Sequence, residues 1–169
     1  KQQKASQALD FSPITTLPSA LTGFRTKAKM TVSGSLNQVV VGLQDNEILN
    51  CPIHHPKINE LISLLPSVIT QFKLTPYNIP KQTGELKQVI LVYSPEAKQM
   101  LVRFVFRSHE CISRLHKVAA ELIKLMPEVV CVSGNLQPIP HAILEGPEEL
   151  IVTEKKSLTL KLGDFEFDV

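Results

Sequence analysis

The alternation of cationic residues with apolar or small residues at positions 24–30 predicts a β-strand with one basic and one apolar face. Successive side chains of an extended strand point to opposite faces. Arg25, Lys27 and Lys29 therefore share one face, and the apolar or small residues between them share the other. The surrounding stretch, FRTKAKMTVSGS, contains no acidic residue. One face can pack on a core while the other presents cations about 7 Å apart, which suits a polyanion. The alternative is a solvated edge strand whose lysines discourage aggregation.

Composition indicates a folded protein of one domain, or one domain and a small piece. Of 169 residues, 43% are apolar and 20% are charged. No apolar run reaches about 18 residues and the N-terminus is polar, so we expect neither a transmembrane helix nor a signal peptide. The odd number of cysteines, three, does not form a disulfide framework, which favours a reduced, cytoplasmic setting. Because the chain does not begin with Met, we expect a fragment or a processed chain.

Charge is unevenly distributed along the chain. Residues 144–169 contain three lysines and seven acidic residues, whereas the rest contains fifteen basic and nine acidic residues. A basic body with an acidic end favours a nucleic acid or another acidic partner for the body.

The order of predicted elements indicates an α+β fold. Apolar periodicity predicts a helix at residues 57–73, kinked or split at Pro66, and a second helix from an N-cap at Ser108 to about Met126. Strands are predicted at 86–93, 100–107, 129–137, 150–153 and 157–162, and a Gly-Asp turn leads into a last strand. From residue 47 the order is strand, helix, strand, strand, helix, strand, which is the split βαβ pattern of a ferredoxin-like core. We therefore predict a mainly antiparallel sheet with two helices, a ferredoxin-like core and extra strands.

Two arginines in the strand at 100–107 need partners. Arg103 and Arg107 share a face with Leu101 and Val105, and charged side chains are rarely buried unless they are paired. One interpretation is a pair of salt bridges to nearby glutamates. The other is a phosphate or base contact on an open sheet face.

Motifs for common catalytic sites are absent from the sequence. There is no G-x-G-x-x-G, no P-loop and no evident Ser, His and Asp arrangement. Cys51, His54 and His55 lie close together, but their spacing does not match standard zinc sites. A small zinc protein is therefore a minor alternative, and the chain by itself contains no recognisable active site.

Six short motifs, in order, carry a family resemblance: FRTKAKMTVSGS, NCP, LTPYNIPKQTGELK, MLVRFVFRS, NLQP and AILEGPEE. With them, the chain from Phe24 to Val169 resembles the bacterial 23S rRNA (uracil-C5)-methyltransferases of the RumB type, within the RNA m5U methyltransferase family. The resemblance implies a central RNA-binding domain at residues 24–156. It also implies an N-terminal tail and linker at 1–23, and a hairpin at 157–169 that leads to a methyltransferase domain outside this sequence.

The resemblance also implies the chemistry of the longer protein. Its C-terminal domain binds S-adenosylmethionine and carries the catalytic cysteine and base, so we expect no catalytic residue here and no activity from this chain alone. Cys51 matches the fourth ligand of a [4Fe–4S] cluster, which needs four thiolates. With one of four in place, neither the cluster nor S-adenosylmethionine is expected on this chain. A non-catalytic RNA- or ribosome-binding module remains the alternative function.

The expected partner is 23S rRNA, with no membrane and no protein partner implied. An enzyme that modifies a base must take it out of its stack, so a separate domain that grips the RNA fits the implied reaction. We predict phosphate contacts from Arg25, Lys27 and Lys29. The remaining RNA-binding candidates are the basic residues Lys87, Arg103 and Arg107 and, more weakly, the amides Asn135 and Gln137.

Overall fold

The computed structural model describes residue 18 and residues 20–43, 46–139 and 145–169. Most of the predicted N-terminal tail lies outside these residues. The elements in chain order are β1 (Lys27–Ser35), β2 (Gln38–Leu43), β3 (Asn46–Glu47), α1 (Pro56–Gln71), β4 (Leu86–Ser94), β5 (Gln99–Phe106), a 3-10 turn (His109–Cys111), α2 (Ile112–Leu125), β6 (Val129–Leu136), β7 (Glu148–Ile151), β8 (Thr159–Leu162) and β9 (Phe165–Asp168).

Seven of these strands form one sheet. Their order is β3-β2-β1-β4-β5-β6-β7, and β8 pairs with β9 as a separate hairpin. Every neighbouring pair in the large sheet is antiparallel except β5 and β6, which are parallel and are connected through α2. The predicted α+β class, the mainly antiparallel sheet and the two helices are confirmed.

The strand order differs from the predicted ferredoxin-like core. A split βαβ unit has another strand inserted between its two parallel strands, whereas β5 and β6 are direct neighbours here. The strand β3 has only two residues and pairs with β2. The nine-residue β1 pairs with β4 instead, through residues 27–31 and 88–92. A long alternating strand offers more hydrogen bonds to β4 than the two-residue β3 could, so β1, rather than β3, lies next to β4.

Both helices pack on the same face of the sheet. The buried side chains of α1 and α2 share one core with alternate residues of the strands, including Met30, Leu91, Phe104 and Leu136. Gly134 of β6 lies under α2, where an added Cβ would come within 2.8 Å of Ile112 Cδ1. The absence of a side chain at this position lets α2 approach the sheet closely.

The ends of the helices follow from the local sequence. The Nδ1 atom of His55 accepts a hydrogen bond from the Lys57 amide at 3.2 Å, and Pro56 begins α1, where its missing N–H costs nothing. The helix continues through Pro66, so it is not split there. Ser108 caps the following 3-10 turn through a hydrogen bond that its Oγ accepts from the Glu110 amide, as predicted.

The opposite face of the sheet, here called the uncovered face, carries no helix in the described part of the chain. Leu158 packs over Leu101 and Cys131 at one end of this face, and Leu160 adds to the same small cluster. The hairpin beyond it leaves Phe165 and Phe167 exposed. Among the described residues, no helix has the length and apolar character needed to cross a membrane.

Candidate nucleic-acid interface

The predicted cations of β1 and β5 lie together on the uncovered face. Lys29 is the partner of Ile90 in the ladder between β1 and β4, and Ile90 is the partner of Arg103 in the ladder between β4 and β5. Side chains directly opposite each other in a sheet lie on the same face. Lys29 and Arg103 are therefore two strands apart, roughly 10 Å, and both point away from the helices.

Two glutamates occupy the space between these cations. The carboxylate of Glu145 accepts a hydrogen bond from Lys29 Nζ at 3.0 Å and contacts Arg103 Nη1. Glu149 accepts from Arg103 Nε at 2.6 Å and from Ser133 Oγ at 2.6 Å. The centre of the uncovered face is therefore a neutral cluster of two cations and two carboxylates. We call these four residues the neutral centre: Lys29, Arg103, Glu145 and Glu149.

The pKa values in the neutral centre reflect this pairing. Burial acts to raise the pKa of Glu145, but the hydrogen bonds and charges of Lys29 and Arg103 outweigh it and hold that pKa below its ordinary value. Burial likewise acts to lower the pKa of Arg103, and the two carboxylates raise it above its ordinary value instead. Glu145 and Arg103 therefore both carry charge at neutral pH.

Arg25 and Lys27 differ from the neutral centre in being exposed and unpaired. Neither side chain forms an ion pair within the described ranges, although Lys27 lies on the same face as Lys29 and only two residues before it. The backbone of Arg25 is fixed by hydrogen bonds with Ile53 and His55. The structure thus provides a firmly held segment with two cations open to solvent.

Arg107 is bound to the buried carboxylate of Glu85. Its Nη2 donates to Glu85 Oε1 at 2.8 Å, and its Nη1 donates to the Gln82 carbonyl at 2.9 Å. The other carboxylate oxygen of Glu85 accepts from the amide and the hydroxyl of Ser108, at 3.0 and 2.6 Å. This arrangement joins the end of β5 to the residue that caps the following turn. The salt-bridge interpretation of both arginines therefore describes their contacts.

Lys87 is similarly engaged in contacts within the chain. Its Nζ donates to the carbonyl groups of Gln137 and Ile139, and it lies 5.1 Å from the centre of the Tyr77 ring. Burial, followed by the nearby charge of Arg107, lowers the pKa of Lys87, and Glu85 opposes this effect. Whether Lys87 or Arg107 also contacts RNA stays a prediction.

Asn135 and Gln137 are buried and connect β6 to the segment that precedes β7. Asn135 exchanges two hydrogen bonds with the backbone of Gly146, and an added Cβ at that glycine would overlap the Leu136 carbonyl. The side chain of Gln137 contacts the backbone of Glu145 and Ile139. These two amides position Glu145 and the segment that leads into β7, which carries Glu149.

Cys51 lines an open groove of about 650 Å³ at the start of α1. Asn59 donates a hydrogen bond to the Cys51 carbonyl at 3.0 Å. His54 is buried at the side of the groove, and burial lowers its pKa, an effect that Asn59 opposes and the charge of Arg25 reinforces. His55 contacts the Tyr93 ring at 4.6 Å between centroids in addition to capping α1. In the described part of the chain, these three residues of the zinc alternative do not form a group that could hold a metal ion.

The residues present do not fit an iron–sulfur cluster. Such a cluster is usually held by four thiolates, and Cys51 is accompanied only by Cys111 and Cys131, which are buried in the 3-10 turn and in β6. No group of three or more His, Cys, Asp or Glu side chains that could hold a metal ion occurs in the described ranges. These residues supply one of the four ligands that the resemblance implies.

The acidic partners were the part of this surface that sequence reasoning missed. Glu85, Glu145 and Glu149 lie 22 to 46 residues away from the arginines they contact. The available signal was the pair of arginines on an apolar strand face, which required acidic partners without identifying them.

Comparison with curated proteins finds relatives that are named as uracil-C5 methyltransferases of 23S rRNA. The chain is 36% identical over 162 residues to the 23S rRNA (uracil(747)-C(5))-methyltransferase RlmC of Vibrio cholerae, covering 93% of this chain and 43% of the relative. The corresponding protein of Halothiobacillus neapolitanus is 35% identical over 156 residues, which cover 89% of this chain and 41% of the relative. The resemblance to 23S rRNA (uracil-C5)-methyltransferases is thus supported, although these relatives carry the name RlmC rather than RumB.

A solved structure shares the fold. The tRNA (uracil-54, C5)-methyltransferase of Pyrococcus abyssi, in complex with S-adenosyl-L-homocysteine, superimposes with a TM-score of 0.77 at 17% sequence identity, covering 99% of this chain and 41% of that chain. No family model matches the chain. The chain therefore spans a little over two fifths of the length of each of these uracil-C5 methyltransferases.

Proposed function

We propose that this chain is the RNA-binding domain of an S-adenosylmethionine-dependent methyltransferase that forms 5-methyluridine in a hairpin of 23S rRNA. The similarity to RlmC over 93% of the chain supports the substrate and the reaction. The observation that carries the RNA-binding role is the pair of exposed cations at the start of β1. Arg25 lies just before this strand and Lys27 is its first residue, and neither forms an ion pair among the described residues, whereas Lys29 is paired with Glu145.

The proposed role assigns different tasks to the two parts of the chain that the sequence distinguishes. Residues 24–156 grip RNA, and the hairpin at 157–169 connects to a methyltransferase domain that supplies S-adenosylmethionine, the nucleophile and the base. Because the base to be methylated must leave its stack, holding the flanking backbone is a separate task from the chemistry. The chain alone is then inactive, and its site of action is the cytoplasm, where ribosomal RNA is modified.

We propose a [4Fe–4S] cluster at Cys51 only in the longer methyltransferase, and not on this chain alone. The other three thiolates would have to come from outside the residues described above. Purified material of this sequence is therefore expected to lack the visible absorbance of a cluster.

Arg25 and Lys27 are proposed as the main phosphate contacts. A protein that neutralises phosphates releases counterions, so its affinity falls with salt in proportion to the number of contacts. The remaining predicted residues are proposed as secondary RNA contacts, not necessarily to phosphates, because each of them already has a partner within the chain: Lys29, Lys87, Arg103, Arg107, Asn135 and Gln137.

The test is binding of the chain to an rRNA hairpin over a range of salt concentrations, with Lys27→Gln and Lys29→Gln compared. These two lysines are matched, because they lie two residues apart on the same face of β1. We expect wild-type affinity to fall steeply with salt, and Lys27→Gln to reduce the slope of log K against log salt by about one. Lys29→Gln should change the slope less, because Glu145 already neutralises this lysine. Absence of binding at low salt, or binding that does not depend on salt, would contradict the proposed function.

A further inference from the structure

We infer that the neutral centre binds an unstacked nucleobase, with the guanidinium plane of Arg103 as its stacking surface. The inference rests on the proposed RNA-binding function. It goes beyond that function by assigning a base, rather than a phosphate, to the middle of the uncovered face.

The charge balance of the neutral centre disfavours a phosphate there. Two carboxylates lie against Arg103, and one of them also contacts Lys29. An approaching phosphate would meet these carboxylates as well as the cations, so the long-range attraction that drives backbone binding is cancelled. Stacking depends on contact between planar surfaces and not on net charge, so it survives this neutralisation.

The guanidinium of Arg103 is already oriented. Its Nε and Nη1 are engaged with Glu149 and Glu145, whereas its Nη2 has no partner among the described residues. The side chain remains 27% exposed. Because two edges of the guanidinium are already held by carboxylates, Arg103 has little rotamer freedom left to lose on binding. Unstacked RNA bases commonly stack on guanidinium planes.

The surroundings of Arg103 also suit a base. Its cross-strand partner Ile90 is buried, as is Val105 two residues along β5, so the floor of this region is apolar. Lys27 lies on the same face, about 7 Å along β1 from Lys29, and roughly 12 Å from Arg103. A single-stranded loop can therefore place a phosphate at Lys27 while a neighbouring base reaches Arg103.

The experiment combines Arg103→Lys with abasic substitution of the RNA. Each loop nucleotide of the rRNA hairpin is replaced in turn by an abasic nucleotide, and affinities are measured for the wild-type chain and the variant. Because lysine keeps the charge but lacks the planar surface, we expect about a tenfold loss of affinity for the intact loop, with an unchanged salt slope. At one loop position, removal of the base should weaken the wild type by a similar factor and should weaken Arg103→Lys no further.

Two further measurements keep the outcome decisive. Glu145→Gln leaves Arg103 in place and removes one balancing charge, so the salt slope should become steeper while the sensitive loop position stays the same. Thermal unfolding of each variant checks that the sheet is retained. The inference is overturned if Arg103→Lys responds to every abasic position as the wild type does, or if it lowers the salt slope by about one, which would identify a phosphate contact. Failure of the wild type to bind RNA at all would instead overturn the proposed function.

Discussion

Asn135 and Gly146 exchange two hydrogen bonds through a single side chain. Asn135 Nδ2 donates to the Gly146 carbonyl at 2.9 Å, and the Gly146 amide donates to Asn135 Oδ1 at 2.6 Å. The buried side-chain amide of Asn135 thus supplies the pair of backbone hydrogen bonds that a neighbouring strand would supply to the segment before β7. The segment so held places Glu145 in the neutral centre and leads into β7, which carries Glu149.

Asn135→Ala is expected to destabilise the chain by about 1–3 kcal/mol, because it leaves the amide and the carbonyl of Gly146 without their partner. Urea denaturation with a shared m-value measures the change. Asn78→Ala is the control, since its side chain accepts one exposed hydrogen bond from the Lys81 amide. Equal stability of the two variants would show that the Asn135 contact is dispensable.

Arg107→Ala should cost about 3 kcal/mol, because it removes the charged partner of the buried Glu85 carboxylate and leaves it, among the contacts of the described residues, with the hydrogen bonds from Ser108. The matched variant is Arg114→Ala, which likewise removes a hydrogen bond to a backbone carbonyl, that of Lys73, but whose acidic partner Glu110, at 3.3 Å, is exposed rather than buried. This variant should cost less than about 1 kcal/mol. Unfolding midpoints of the two variants under identical conditions provide the comparison. A loss at Arg107 no larger than that at Arg114 would be inconsistent with a structural role for the Glu85 pair.

The three cysteines should react with iodoacetamide at different rates. Burial raises the pKa values of the Cys111 and Cys131 thiols, and the thiolate is the reactive form. Cys51 lines an open groove and is partly exposed. Mass spectrometry after brief labelling at neutral pH should therefore find Cys51 modified first, and the other two only after unfolding. Uniform labelling of the native chain would contradict the burial described here.

The decrease in the free energy of unfolding at acidic pH should depend on Glu145. Its pKa is below the ordinary value in the folded chain, so its contribution is present above the pKa of the unfolded state and is lost as the pH falls through the folded pKa. Glu145→Gln should cost about 1 kcal/mol at pH 7, and the difference from wild type should shrink as the pH is lowered below about 4.5. Chemical denaturation at several pH values tests this. A difference that stays constant down to pH 3 would exclude the charge of Glu145 as its source.

Local sequence pattern was sufficient for the elements and insufficient for their arrangement. Alternation at residues 100–107 and the period of α1 are properties of neighbouring residues, and both were predicted correctly. The position of β1 beside β4 depends on competition among strands far apart in sequence, which no local pattern records. The same limit applies to the site, where the contacts of Arg103 with Glu145 and Glu149 span 42 and 46 residues.

The neutral centre has a consequence for how related sequences can diverge. Replacing Arg103 by a neutral residue would remove the cation that Glu145 and Glu149 share and leave Lys29, which contacts Glu145, as their cationic partner among the described residues. Replacing Glu149 would leave Ser133 and Asn135 without their shared acceptor. Substitutions here are therefore tolerated mainly in combination. Among relatives, a change of charge at position 103 should coincide with changes at 145 or 149. Positions 25 and 27 have no ion-pair partner among the described residues and should vary independently of one another.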